Sequence, residues 1–131
     1  MTKDEHEVEA RREDKRPKKK PPKEATEQQR LVAYLRTRGW WFTATANGVA
    51  MSPRQRNDFA RQGGSRGLPD LLVFEAVGGF TGLAIELKRA KGGATRPEQL
   101  RWRDALTARG WLAVIARGCD EAVRMIEEVE K

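Results

Sequence analysis

Gly67-Leu68-Pro69-Asp70-Leu71-Leu72-Val73-Phe74 and Gly82-Leu83-Ala84-Ile85-Glu86-Leu87-Lys88 are two apolar runs separated by the turn residues Gly78-Gly79. The first opens on Pro-Asp, and the second carries Glu-Leu-Lys inside it. Charge placed in the middle of strands is costly unless something compensates it. Side chains alternate along a strand, so Glu86 and Lys88 share one face while Ile85 and Leu87 turn to the core. If the two strands pair, Asp70 reaches the same patch. Two carboxylates and one ammonium on one sheet face are the elements of a Mg²⁺ site with a built-in cation. An exposed Glu-x-Lys pair on an edge strand would also account for these residues. The order Gly-x-Pro-Asp, apolar strand, turn, apolar-Glu-apolar-Lys favours the functional reading.

The chain has 131 residues, enough for one domain. Residues 1–23 hold almost no aliphatic side chains; they begin acidic and become basic from Arg11 to Lys23, with Pro17, Pro21 and Pro22 interspersed. Such a segment buries too little apolar area to offset its ordering entropy, and a disordered tail is expected there. Residues 24–131 are long enough for a single modest core. The net charge of +7 is shared between the two parts, with nine Lys and Arg against six acids in the tail and seventeen against thirteen beyond it. A basic balance favours a polyanionic partner, nucleic acid first.

Cys119 is the single cysteine and His6, in the tail, the single histidine. This excludes an intrachain disulfide, a Cys/His zinc site, a histidine-based triad and a histidine-based nuclease. The expected location is the cytoplasm: no apolar run approaches the length of a membrane span, and the N-terminus does not read as a signal peptide.

The remaining elements follow from periodicity. Residues 24–38 read as a helix with Leu31, Val32 and Leu35 on one face, extended by Glu24 and Gln28 and closed by Gly39. Residues 40–45 are strand-like, and Asn47-Gly48 marks a turn. Residues 49–66 are polar and basic, with a short helix expected near 54–62. Strands are expected at 68–75 and 81–88, and a helix from Pro97 to about Ala108. A buried strand follows at 111–116. A last helix, capped by Asp120, turns Ala122, Val123, Ile126 and Val129 inward. The order is α-β-β-β-α-β-α with a loop helix after the first strand: an α/β (mixed α+β) domain with a mixed four-stranded sheet flanked by helices.

Asp70…Glu86-Leu87-Lys88 resembles the PD-(D/E)XK nuclease motif. More narrowly, residues 24–131 are similar to the virus-type replication–repair nuclease (VRR-NUC) domain in its small stand-alone, phage-like form. The matching pieces are Asn47-Gly48, Gly67-Leu68-Pro69-Asp70, Gly82 to Lys88, and Glu98-Gln99…Trp102…Leu106…Gly110 with the strand after it. The resemblance implies a restriction-endonuclease-like core and a Mg²⁺- or Mn²⁺-dependent DNA endonuclease. It implies Asp70, Glu86 and the Leu87 carbonyl as metal ligands, Lys88 as the catalytic cation, and a homodimer acting on branched DNA such as a four-way junction. It also implies an acid early in the first helix, where Glu24 fits and Glu27 competes, and a Gln reaching the site, where Gln99 fits. First-turn acids are otherwise favoured by the helix dipole alone.

Arg54, Arg56, Arg61 and Arg66, with Lys91 and Arg96, form a basic set that would hold phosphates without reading sequence. Trp40, Trp41, Trp102 and Trp111 are read first as core or dimer-contact residues, with stacking on bases as the alternative. Competing functions are a catalytically silent nucleic-acid-binding module, a sequence-specific restriction-type nuclease, a flap or nicking nuclease and an RNA-directed nuclease. The silent module is disfavoured because Asp70, Glu86 and Lys88 are all present.

Overall fold

A computed structural model describes residues 23–46, 49–89 and 91–131, with side chains from Thr26 onward. Residues 1–22 of the expected tail, the Asn47-Gly48 turn and the Glu24 side chain lie outside the described residues, whereas Lys23, expected in the tail, opens the first helix. The elements are α1 (Lys23–Thr37), β1 (Phe42–Ala44), α2 (Pro53–Arg61), β2 (Leu71–Val73), β3 (Leu83–Leu87), α3 (Pro97–Ala108), β4 (Leu112–Ala116) and α4 (Cys119–Glu130). The order matches the sequence-based expectation. The strands are shorter than their apolar runs: Leu68 and Pro69 lead into β2 without joining the ladder, because proline has no N–H to give it.

The four strands form one sheet in the order β1-β2-β3-β4. The first three are antiparallel and β4 runs parallel to β3, so α3 is the crossover between them. One sheet face carries Phe42, Leu71, Val73, Leu83, Ile85, Leu87 and Ala116, and these pack against Leu31 and Leu35 of α1 and Ala122 and Ile126 of α4. This is the core, and it uses the inward residues expected for α1 and α4. The opposite face is covered by α3 over β4.

Two side-chain networks bind α1 to α4. Arg38, near the end of α1, pairs with Glu130, donates to the Tyr34 hydroxyl at 2.7 Å and lies 4.2 Å from the Trp40 ring centre. At the other end Arg30 donates to Glu27 at 2.9 Å and to Asp120 at 2.8 Å. The structure corrects the expected cap of α4. Gly118, not Asp120, occupies the N-cap position, and Asp120 sits in the first turn. The capping is done from outside the helix: the Cys119 N–H donates to Glu27 Oε1 at 3.3 Å. A Cβ at Gly118 would approach that oxygen to 2.8 Å, so the glycine makes room for the acid.

Candidate active site

The registers place the motif residues. Leu71 is opposite Ile85 across β2 and β3, so Asp70 falls opposite Glu86 one step further out. Glu86 and Lys88 point away from the core, on the face covered by α3. Both are buried, with relative exposures of 6% and 9%, on a strand interior to the sheet. The solvated edge-strand account of this pair is thereby excluded.

β2 starts at Leu71, so among the described residues the β2–β3 ladder does not extend beyond Ile85. Asp70 fills the gap: its Oδ2 accepts from the Leu87 N–H at 2.8 Å. In an antiparallel ladder a residue directs its N–H and C=O to the same edge. The Leu87 carbonyl therefore faces the Asp70 side.

Gln99, in the first turn of α3, joins the two charged residues of β3. Its Nε2 donates to Glu86 Oε2 at 2.9 Å, and its Oε1 accepts from Lys88 Nζ at 3.1 Å and from the Arg96 N–H at 2.9 Å. Only one orientation of the carboxamide satisfies two donors and a carboxylate together. The Arg96 bond is half of a capping box; arginine has no acceptor to complete the other half. Lys88 Nζ lies 3.5 Å from Glu86 Oε2 and donates weakly to the Ala94 carbonyl at 3.4 Å.

Glu86 Oε1 is buried and has no hydrogen-bond partner among the described residues. Burial, and next the negative charge of Asp70, push the Glu86 carboxyl up to about 7, with Lys88 opposing. A buried acceptor facing a second carboxylate across two strands is a cation-shaped arrangement. Asp70, Glu86 and the Leu87 carbonyl are hard oxygen donors, and their small number suits Mg²⁺ or Mn²⁺, which keep several waters. Among the described residues no third acidic, cysteine or histidine side chain joins them. Glu27, the alternative helix acid, is committed to α4 and Arg30; Glu24 remains the candidate, its side chain outside the described residues.

A small cavity beside Glu86 is lined by Gly67, Pro69, Gln99, Arg103 and Ile115. Gly67 has φ 83°, and a Cβ there would stand 2.5 Å from the Glu98 Cβ. The chain entering β2 therefore packs directly on the first turn of α3, which brings Arg66 and Arg96 to the rim of the site; both are exposed. Arg54, Arg56 and Arg61 are exposed on α2, and Arg61 pairs with Asp58 at 2.7 Å. Lys91 is exposed on the loop after β3. That loop is clamped by Arg117, which donates to the Arg89 and Gly92 carbonyls at 2.7 and 2.8 Å. Arg103 and Arg117 did not stand out in the sequence. For Arg103 a signal existed: it is i+4 from Gln99 and shares its helix face.

The sheet order, its crossover helix and the placement of Asp70, Glu86 and Lys88 define a PD-(D/E)XK-like fold. A solved structure described as "VRR_NUC domain protein" has the same architecture, with TM-score 0.69, 24% identity and coverage of 85% of this chain and 90% of that one. The chain thus has the VRR-NUC fold. No protein-family model and no curated protein matches the sequence.

Proposed function

We propose that this protein is a divalent-metal-dependent endonuclease that hydrolyses phosphodiester bonds in DNA. The observation that carries the reading is Glu86: a buried carboxylate with an orphaned oxygen, across from Asp70, tied through Gln99 to Lys88. The VRR-NUC fold supports nuclease as the class. Asp70, Glu86 and the Leu87 carbonyl, with Glu24 as the further candidate, would hold Mg²⁺ or Mn²⁺. The bound ion supplies polarisation of the phosphoryl oxygen and a water of lowered pKa.

The chain's own groups do the rest. Asp70 is held by the Leu87 N–H, which fixes the direction of its carboxylate. Gln99 orients Glu86 and Lys88 together. The Lys88 ammonium stabilises the negative charge that grows on the phosphate in the transition state and orients the attacking water. Arg66 and Arg96 at the rim, with the exposed cations of α2 and Lys91, hold flanking phosphates.

Branched DNA as substrate and a homodimer as the working form are part of this proposal. One domain of this size has one site, and a two-fold pair would present two sites to the symmetric strands of a junction. The deciding experiment incubates the full chain with linear duplex, single strand, flap and four-way junction DNA, in Mg²⁺ and in EDTA. EDTA-sensitive cleavage, abolished in Glu86→Gln and Lys88→Ala, is expected, with paired incisions on the junction. Absence of cleavage on every substrate would refute the enzyme. Light scattering at micromolar concentration tests the dimer; a monomer making single incisions would leave a flap or nicking nuclease.

A further inference from the structure

The sheet face that carries Glu86 also carries a row of aromatic side chains. Phe42 is opposite Val73, so Trp41 stands opposite Phe74, and the Phe74 N–H donates to the Trp41 carbonyl at 2.8 Å. Leu83 is opposite Val73 and beside Leu112, so the same row continues through Gly82 of the β3 approach to Trp111. Trp111 and Phe74 meet edge to face, with ring centres 5.9 Å apart at 88°. The ring of Trp111 crosses over Gly82, where a Cβ would stand 2.6 Å from it. The row is therefore Trp41, Phe74, Gly82, Trp111, spanning the four strands.

This row is open. Trp41 is 80% exposed and Phe74 53%. The Trp41 backbone is held: its main-chain N–H donates to Glu75 Oε2 at 2.7 Å. The main chain at Trp41 is thus fixed while its ring is left open to solvent, and the core reading of the four tryptophans does not cover it.

The row runs parallel to the one that holds Asp70 and Glu86, four residues away along β2, or about 13 Å. α3 runs antiparallel to β3 and β4, from the acidic row to the aromatic one. Gln99 and Arg103 share one face of it at i+4 spacing, and Arg96 is its N-cap residue. Gln99 and Arg103 line the cavity beside Glu86. Arg96 thus stands at the carboxylate end of α3 and Arg103 further along it in the direction of the rings, where it also pairs with Asp104 at 3.6 Å. A backbone that needs phosphate contacts along one side and flat apolar faces at the end is that of a nucleic acid with unpaired bases; every base has a π-face, and stacking does not require a sequence. A paired duplex keeps its bases stacked inside and offers such rings only its terminal pair.

We infer that Trp41 and Phe74, backed by Trp111, are a stacking platform for unpaired nucleotides of a strand that passes Arg103 on its way to the carboxylates. The inference rests on the nuclease reading for the direction of the strand, though not for the stacking itself.

The test is fluorescence anisotropy in EDTA, so that nothing is cut, with a labelled oligothymidylate and a labelled blunt duplex. Wild type is compared with Trp41→Ala, Trp41→Phe and Phe74→Ser. Circular dichroism checks folding, which the exposure of Trp41 should preserve. Oligothymidylate binding should weaken about ten-fold or more in Trp41→Ala, and be largely restored in Trp41→Phe, while duplex binding stays unchanged. Unchanged oligothymidylate binding, or equal losses on both probes, overturns the platform. Dissociation of a wild-type dimer in Trp41→Ala with oligothymidylate binding intact also overturns it, and assigns the patch to a second copy of the chain. The two readings fail separately. Metal-dependent cleavage with no Trp41 effect removes the platform alone, and a Trp41 effect without any cleavage removes the nuclease alone.

Discussion

The Lys88 ammonium is 3.5 Å from the Glu86 carboxylate, yet its shorter bond, 3.1 Å, goes to the Gln99 carboxamide, which in turn donates to Glu86. A direct, close ion pair would neutralise both groups. With Gln99 between them, Glu86 keeps one oxygen without a partner among the described residues, and Lys88 keeps ammonium protons to donate.

Gln99→Ala should therefore collapse the spacing. Lys88 and Glu86 would close on each other, and the cleavage rate should fall by roughly ten- to hundred-fold, as when an orienting partner of a metal ligand is lost. Stability should fall by about 1–3 kcal/mol, because the Arg96 N–H loses its acceptor and buried Glu86 a donor. Single-turnover cleavage measured beside thermal melts checks both parts.

Metal-free stability should depend on pH through Glu86. Its carboxyl is raised in the folded state to about 7 from an ordinary value of 4.5, so the stabilising, protonated form is fully present below about 4.5. That stability is lost as pH rises through about 7. The loss is of the order of 2–3 kcal/mol. In EDTA the melting temperature should drop between pH 5 and 8, and Glu86→Gln should flatten the drop. Mg²⁺ added at pH 8 should restore the wild type and leave the variant unmoved. A flat wild-type profile would contradict the arrangement.

Asp70 carries a structural duty besides its proposed ligand role. Asp70→Ala removes the acceptor of the Leu87 N–H and should destabilise by about 1–3 kcal/mol. Asp70→Asn keeps an acceptor there and should melt near the wild type. Both variants should lose metal-dependent cleavage. Denaturant titration of the pair, with activity assays alongside, separates folding from chemistry.

Gly82→Ala should disturb the aromatic row. The new methyl would stand 2.6 Å from the Trp111 ring. The ring must swing off β3, with a cost of about 1–3 kcal/mol. Near-ultraviolet circular dichroism should lose intensity, while the far-ultraviolet spectrum stays the same.

Much of this protein was written locally. The apolar period of Leu31 and Leu35, the Pro-Asp entry to β2 and the alternation of Ile85, Glu86, Leu87 and Lys88 settle element order, sheet faces and the identity of the charged trio. Such features depend on backbone periodicity and on proline and glycine geometry, which neighbours in sequence impose. The tertiary structure decided what depends on partners far apart in the chain. Glu27 reads as a first-turn acid or a metal ligand, and becomes the cap of a helix that starts 92 residues later. Asp120 looks like that cap, and instead receives Arg30. Trp41 reads like its three companions, and alone among them is left 80% exposed. Arg103 is one basic residue among many until α3 lays it beside Glu86. Burial and hydrogen-bond partners are properties of the packed chain; identical side chains acquire different surroundings only when strands register and helices dock.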